Sequence, residues 1–364
     1  MNYIAIDHSP PCGPSAFQAL AGRHIARRGR TGRQNRASPP LPGVCRKTQG
    51  RHTGWIATCR VFGGPSSQMS GIVWLASYPK SGNTWLRLFL ANYFAQSRPL
   101  GQPLELNQAI SFGIGDSGVD RYRRAGMDQD DQSQQSIAQL RPLVHRQVAQ
   151  QNAQGVTFVK THNACIHVAG VPLITPDATA GAILVVRNPF DVAVSFGHHT
   201  GMPVERAVQA LATDTYYVPA DETYVDQFPT SWQRFQASWI DAAGLSPLVL
   251  RYEDMVRSPM ATFAQVLTFL NARIDEARLA DSIQATDFDA LAGQEKAHGF
   301  AEGDPHGKVP FFREGRIGVW QGVLSAEQVE NLKQACGKEL TRLGYADENG
   351  ALTSLTKGSE SASA

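Results

Sequence analysis

Ile72-Val73-Trp74-Leu75-Ala76-Ser77-Tyr78-Pro79-Lys80-Ser81-Gly82-Asn83-Thr84-Trp85 is the stretch around which the chain is organised. Its opening apolar run breaks at Pro79 and Gly82. Apolar residues then return at Trp85, Leu86, Phe89, Leu90 and Tyr93, the spacing of one helix face. The stretch reads as strand, tight loop, helix. A loop at a helix N-terminus offers unpaired backbone N–H groups and the positive end of the helix dipole, so it suits an anion. Lys80 adds a full charge there, and Ser81 and Thr84 add hydroxyl donors. The Gly-x-x-x-x-Gly-Lys-Ser/Thr spacing of a Walker A loop is absent. On these residues alone, a phosphate cradle and an ordinary strand–helix turn with a solvated lysine stand level.

Three further apolar runs follow the same plan. The run 156–160 ends in Lys160-Thr161-His162, and the run 182–186 ends in Arg187-Asn188-Pro189, with Pro189 suited to the first turn of a helix reaching about His198. The run 247–250 ends in Arg251-Tyr252-Glu253-Asp254. Helices are predicted over 132–151, 230–243, 259–270 and 275–285, while 99–131 reads as irregular loop or lid. Four apolar runs separated by helices predict an α/β fold: a single domain with a central parallel sheet flanked by helices. Such sheets bind ligands at the carboxyl edge, where the polar residues of these runs cluster.

Composition sets the remaining bounds. Of 364 residues, 42% are hydrophobic and 18% charged, as in an ordinary globular protein. The formal net charge of +2 is unevenly placed, because residues 1–68 carry ten Arg and Lys against the single acid Asp7. That segment is rich in proline and arginine without apolar periodicity, so the expectation is a disordered basic extension with no packed core. Met69-Ser70-Gly71 leads straight into the first strand and is read as the natural start, the upstream part being an over-extended gene. The folded domain is expected over 69–347, followed by a disordered tail over 348–364. Five cysteines show neither metal-ligand nor disulfide spacing, and no apolar window is long enough to span a membrane. No apolar leader is visible, so the protein is read as cytoplasmic, with no metal and no nucleic-acid partner.

Tyr78-Pro79-Lys80-Ser81-Gly82-Asn83-Thr84-Trp85 resembles the 5′-phosphosulfate loop of the sulfotransferases that use 3′-phosphoadenosine 5′-phosphosulfate (PAPS), with Asn83 where that family usually has Thr. The resemblance, to the cytosolic type, covers 69–345. It implies a P-loop-kinase-like fold and PAPS as co-substrate. By resemblance Lys80 neutralises the bridging oxygen of the leaving group, Lys160 is a second stabilising cation and His162 is the general base. The loop residues Ser81, Gly82, Asn83, Thr84 and Trp85 are implied to hold the donor, Trp85 by stacking on adenine. Arg187 and Ser195 match the family's 3′-phosphate pair, and Tyr252, Thr286 and Phe288 fall where it places adenosine contacts. Phe312-Arg313-Glu314-Gly315-Arg316-Ile317-Gly318-Val319-Trp320 matches the late Arg-x-Gly-x-x-Gly-x-Trp loop, so Arg313 and Gly315 would close over the 3′-phosphate. Glu314 stands where Lys is common, with Arg316 a substitute cation. Asn163-Ala164 replaces the frequent Leu-Pro after the histidine.

The reading is therefore a sulfotransferase acting on the hydroxyl, or less favoured amine, of a small-molecule acceptor. Its alternatives are a nucleoside or nucleotide kinase of the same fold and a non-catalytic 3′-phosphonucleotide-binding protein. The acceptor and the oligomeric state are not legible.

Overall fold

The structure, a computed structural model, describes residues 70–356 apart from 96, 129, 130, 153, 154 and 304–308. The expectations for 1–68 and for 357–364 lie outside the described residues.

A five-stranded sheet forms the centre, built from β1 (Gly71–Ser77), β2 (Ile114–Gly115), β3 (Val156–Thr161), β6 (Thr179–Val186) and β7 (Leu248–Arg251) in the order β2-β3-β1-β6-β7. Every pairing in it is parallel. All seven residues of β1 are buried, which explains why its sequence is a continuous apolar run rather than an alternating one. Alternate residues serve opposite layers. Trp74 and Ala76, with Leu184 and Val186, pack against Phe190, Trp232, Phe235 and Trp239. Val73 and Leu75, with Ile183 and Val185, pack against Leu86, Phe89, Phe263 and Leu267. A small antiparallel hairpin, β4 (His167–Val168) with β5 (Val171–Pro172), stands apart.

Register fixes what meets at the carboxyl edge. Leu75 pairs with Lys160 on one side and Ile183 on the other, while Gly115 also pairs with Lys160 and Val186 pairs with Arg251. The ends of β1, β3 and β6 therefore bring Lys80, His162 and Arg187 to one rim.

Three features differ from the sequence reading. The segment 99–131 is not merely irregular: it holds the helices Leu106–Ile110 and Val119–Arg124 and the edge strand β2. Two residues are too few to show a strand period. Tyr252 follows β7 directly, as expected, and opens the helix Tyr252–Arg257. Helices Val204–Ala212, Phe288–His298 and Ala326–Arg342 went unread, although Ser325 and Gln328 form a capping box at the start of the last one. The tail does not begin at 348. The Asp347 carboxylate accepts the N–H of Asn349 at 2.9 Å and of Ala351 at 2.8 Å, and Trp320 Nε1 donates to the buried Thr356 carbonyl at 2.6 Å, so 348–356 fold back onto the domain.

Candidate active site

The loop after β1 has a geometry that its residue types demand. Lys80 and Gly82 both have positive φ, 67° and 105°, and Gly82 caps the helix Asn83–Phe94 without a side-chain acceptor. A Cβ on Gly82 would lie 2.8 Å from the Tyr252 ring, so only glycine fits. Asn83 Nδ2 donates to the Leu75 carbonyl at 2.7 Å, tying the helix start to the strand. The first-turn N–H groups thus face outward beside Lys80, with no acidic residue in that turn. Ser81 Oγ and Trp85 Nε1 are buried without a hydrogen-bond partner.

Lys80, Lys160 and His162 meet at this rim. The Lys80 ammonium lies 3.8 Å over the centroid of Phe311, and burial, with Arg187 and Lys160 adding to it, lowers its pKa to about 7. Burial also lowers the pKa of Lys160, opposed by Glu302, whose Oε1 is 3.6 Å from the Lys160 Nζ. His162 Nδ1 lies 2.7 Å from the Ser77 carbonyl. A carbonyl only accepts, so Nδ1 carries the proton and Nε2 keeps its lone pair. Burial first, then Lys160, pushes the pKa of His162 down to about 3, against the Ser77 carbonyl, Asp116 and Glu302. The ring is neutral at physiological pH.

Two groups at this rim went unread in the sequence. Glu302 accepts from Arg87 Nη1 at 2.6 Å and from Thr84 Oγ1 at 3.3 Å, and Lys160 and Arg87 help hold its pKa down at about 2 despite burial. Arg87 is itself buried, with Nη2 donating to Ile110 O at 2.5 Å and Nε to Phe112 O at 3.3 Å, so Glu302 supplies its counter-charge. His199 sits edge-on to Phe311 at 5.8 Å, and burial with Lys80 and Lys160 lowers its pKa to about 4. Neither belongs to a spaced motif. Only the fold carries Glu302 back across more than two hundred residues to Thr84 and Arg87.

On the other side of the loop, Arg187 joins the elements the resemblance implied for the nucleotide. Its Nη1 donates to Lys80 O at 3.3 Å and its Nη2 to Arg316 O at 3.1 Å. The guanidinium stacks 4.3 Å from the Tyr252 ring, and its Nε is buried without a partner. Tyr252 donates its hydroxyl to Gly315 O at 3.0 Å, and Trp85 meets the Tyr252 ring edge-on at 5.9 Å. Gly315 has φ 62°, and a Cβ there would lie 2.3 Å from the Phe288 ring. Trp85, Tyr252, Phe288, Gly82 and Gly315 are therefore linked through Tyr252 in one run of close contacts. Ser195 is half-buried on the helix Pro189–Thr200, two turns beyond Arg187. Arg313 and Arg316 both pair with Glu314, the latter at 2.8 Å, so Glu314 draws the two cations together. Thr286 differs: it is buried, and its hydroxyl donates to Ser282 O at 2.9 Å and Ile283 O at 3.2 Å at the end of its own helix. Among the described residues no His, Cys, Asp and Glu cluster has a metal-binding arrangement, and no helix is long and apolar enough to cross a membrane.

A parallel sheet with an anion loop, two lysines and a histidine on its carboxyl edge defines a nucleotide-binding α/β transferase. The chain belongs to the sulfotransferase family: residues 71–344 match the family model described as the sulfotransferase domain. Sulfotransferase 1B1 of Mus musculus is 23% identical over 74% of this chain and 83% of its own. Flavonol 3-sulfotransferase of Flaveria bidentis is also 23% identical, over 75% of this chain and 82% of its own. Among solved structures, a retinol dehydratase complexed with retinol and PAP matches with a TM-score of 0.50 at 17% identity, covering 76% of this chain and 82% of that one. A mouse sulfotransferase, SULT7A1, complexed with PAP, matches at 0.49 and 16%, covering 78% and 87%.

Proposed function

We propose that the protein transfers a sulfuryl group from PAPS to the hydroxyl of a small-molecule acceptor, with His162 as the general base. The observation that carries this reading is the meeting of Lys80, Lys160 and His162 at one sheet edge, beside buried polar atoms of Ser81, Trp85 and Arg187 that have no protein partner. A sulfate-bearing nucleotide fits those groups. Its 5′-phosphate would take the first-turn N–H groups and Ser81, and its 3′-phosphate the Arg187 fork. Relatives of the same fold are complexed with PAP, the product such a transfer leaves.

In the transfer, the acceptor oxygen bonds to sulfur as the bond from sulfur to the bridging oxygen breaks, in line and through a loose transition state. Negative charge grows on the departing phosphate, and Lys80 and Lys160 answer it. The acceptor proton goes to His162 Nε2, which the Nδ1–Ser77 hydrogen bond keeps free. Burial first and neighbouring cations second hold His162 and Lys80 low, and an anionic donor offsets the cations, bringing base and counter-charge closer to their working ranges.

The test begins with nucleotides. PAP at about 100 times its dissociation constant should stabilise the chain by about 2.7 kcal/mol, with ATP at the same concentration far behind. Arg187→Ala should weaken PAP by about 1.5–3 kcal/mol and leave adenosine 5′-monophosphate nearly unchanged. His162→Ala should lower kcat about 10²–10⁴-fold at near-normal PAP affinity. Preference for ATP, or a His162→Ala variant with intact kcat, would overturn the reading.

A further inference from the structure

The residues on either side of His162 turn away from the transfer site into a buried polar cluster that the chemistry above does not use. Thr161 and Asn163 are both buried, as are Asp116, Ser117 and Arg141. Asp116 follows directly on β2, and its N–H donates to the Lys160 carbonyl at 3.1 Å. One carboxylate oxygen, Oδ2, accepts from Thr161 Oγ1 at 2.8 Å and from Asn163 Nδ2 at 2.8 Å, with Arg141 Nη1 at 3.7 Å. The other accepts from Ser117 Oγ at 2.9 Å. The Asn163 N–H donates to Thr161 Oγ1 at 3.0 Å, its Oδ1 accepts from the Phe228 N–H at 2.7 Å, and its carbonyl accepts from Trp239 Nε1 at 3.1 Å. Side chains alternate along a strand end, so anchoring 161 and 163 on one side aims 160 and 162 at the other.

We propose that Asp116 is a positioning residue for His162, clamping the backbone on both sides of the imidazole through Thr161 and Asn163. This rests on reading His162 as the acceptor base. A charged cluster is a costly way to fill a core, since a buried carboxylate and guanidinium must each be satisfied. Here four side-chain groups converge on one carboxylate, and two of them flank the proposed base. Asn163, one of the departures from the family's usual sequence, is one of the two hands of the clamp. Misplacing a reacting group by about 1 Å is worth about 100-fold in rate, which sets the scale of the effect.

Electrostatics separates clamping from mere stability. His162 faces Lys160 from the end of β3, Glu302 from the segment after the helix Phe288–His298, and Asp116 from the end of β2. Asp116 is in turn faced by Arg141 and His145 on the helix Gln134–Gln150 and by Tyr122 on the helix Val119–Arg124. Asp116 raises the proton affinity of His162 while Lys160 and burial lower it. Removing the Asp116 charge must then move the imidazole titration to lower pH.

Two measurements on the full chain decide the matter. The first is an NMR titration of the His162 ring, with 15N shifts reporting the tautomer. The second is kcat with PAPS and 2-naphthol as probe acceptor. Asp116→Asn should shift the His162 titration downward. Thr161→Val, which keeps the side-chain volume, should mix the tautomers and lower kcat about 10–100-fold with PAP affinity within about twofold. Thr161→Ser, which keeps the hydroxyl, should restore both. A His162 ring unmoved in Asp116→Asn and unmixed in Thr161→Val would overturn the proposal. The titration needs no acceptor, so an inert wild type with 2-naphthol would count against the reaction while the ring still decides the clamp.

Discussion

Lys80 is the residue whose chemistry depends most on what lies beside it. With its pKa lowered to about 7, chiefly by burial, it gives up its proton far more readily in the free protein than an ordinary lysine does. Phosphates brought beside it favour the ammonium form, so PAP binding should take up a proton. The sign follows: affinity is greatest below pH 7 and falls as pH rises through 7 toward 9, by up to about tenfold per unit. Titration calorimetry of PAP across that range should show the slope in the wild type. Lys80→Arg, which keeps its charge throughout, should be nearly flat, and an equal slope in both proteins would assign the proton elsewhere. Asn83 shows what the sequence left open at this scale. Its departure from the usual Thr was legible, but its bond to the Leu75 carbonyl depends on the strand lying directly beneath the helix start.

The late loop shows how an element is held by geometry rather than by charge alone. Gly315 combines a left-handed φ with a Phe288 ring where a Cβ would go. Gly315→Ala should cost at least the 1–2 kcal/mol of the left-handed conformation and, by pushing Phe288, weaken PAP as well. Gly337 is the opposite case, a glycine in the helix Ala326–Arg342 with open space around its missing Cβ. Gly337→Ala should stabilise by about 0.5–1 kcal/mol and leave PAP affinity alone. Thermal unfolding with and without PAP reads both, and a harmless Gly315→Ala would show that the loop is not packed as described. The motif containing Gly315 was visible in the sequence, but the reason for its glycine is a ring from a helix that the sequence had not revealed.

Across the whole molecule, acid should act through buried histidine as well as through carboxylates. His145 is buried between the sheet and the helix that carries it, 4.9 Å from the Trp74 ring and bonded through Nδ1 to Thr175 Oγ1 at 2.8 Å. Burial, with Arg141 adding to it and Asp116 opposing, lowers its pKa to about 4. Between about 6.5 and 4 the unfolded chain takes up a proton that the native chain refuses, so this contribution is full above 6.5 and is lost as pH falls. At pH 5 the loss amounts to about 2 kcal/mol. Denaturant unfolding at pH 7 and pH 5 should therefore show a smaller loss for His145→Gln than for the wild type. Equal losses would mean that His145 is not the group that titrates.

The sequence by itself determined the parallel α/β plan, because β1 is buried on both faces and must be apolar throughout. It also determined Lys80, Lys160, His162 and Arg187 as the rim residues, because each lies at or just past the carboxyl end of a strand that the fold must line up with the others. Local signals carry that much: a period, a breaker, a charge at a run's end. Only the tertiary structure decided the partners that lie far along the chain. Glu302 reaches Arg87 and Thr84, Asp116 grips Thr161 and Asn163, and Thr356 returns to Trp320. None of these pairs has a spacing to read. Each is set by a buried donor or charge that must find an acceptor in three dimensions, and packing alone determines which residue supplies it.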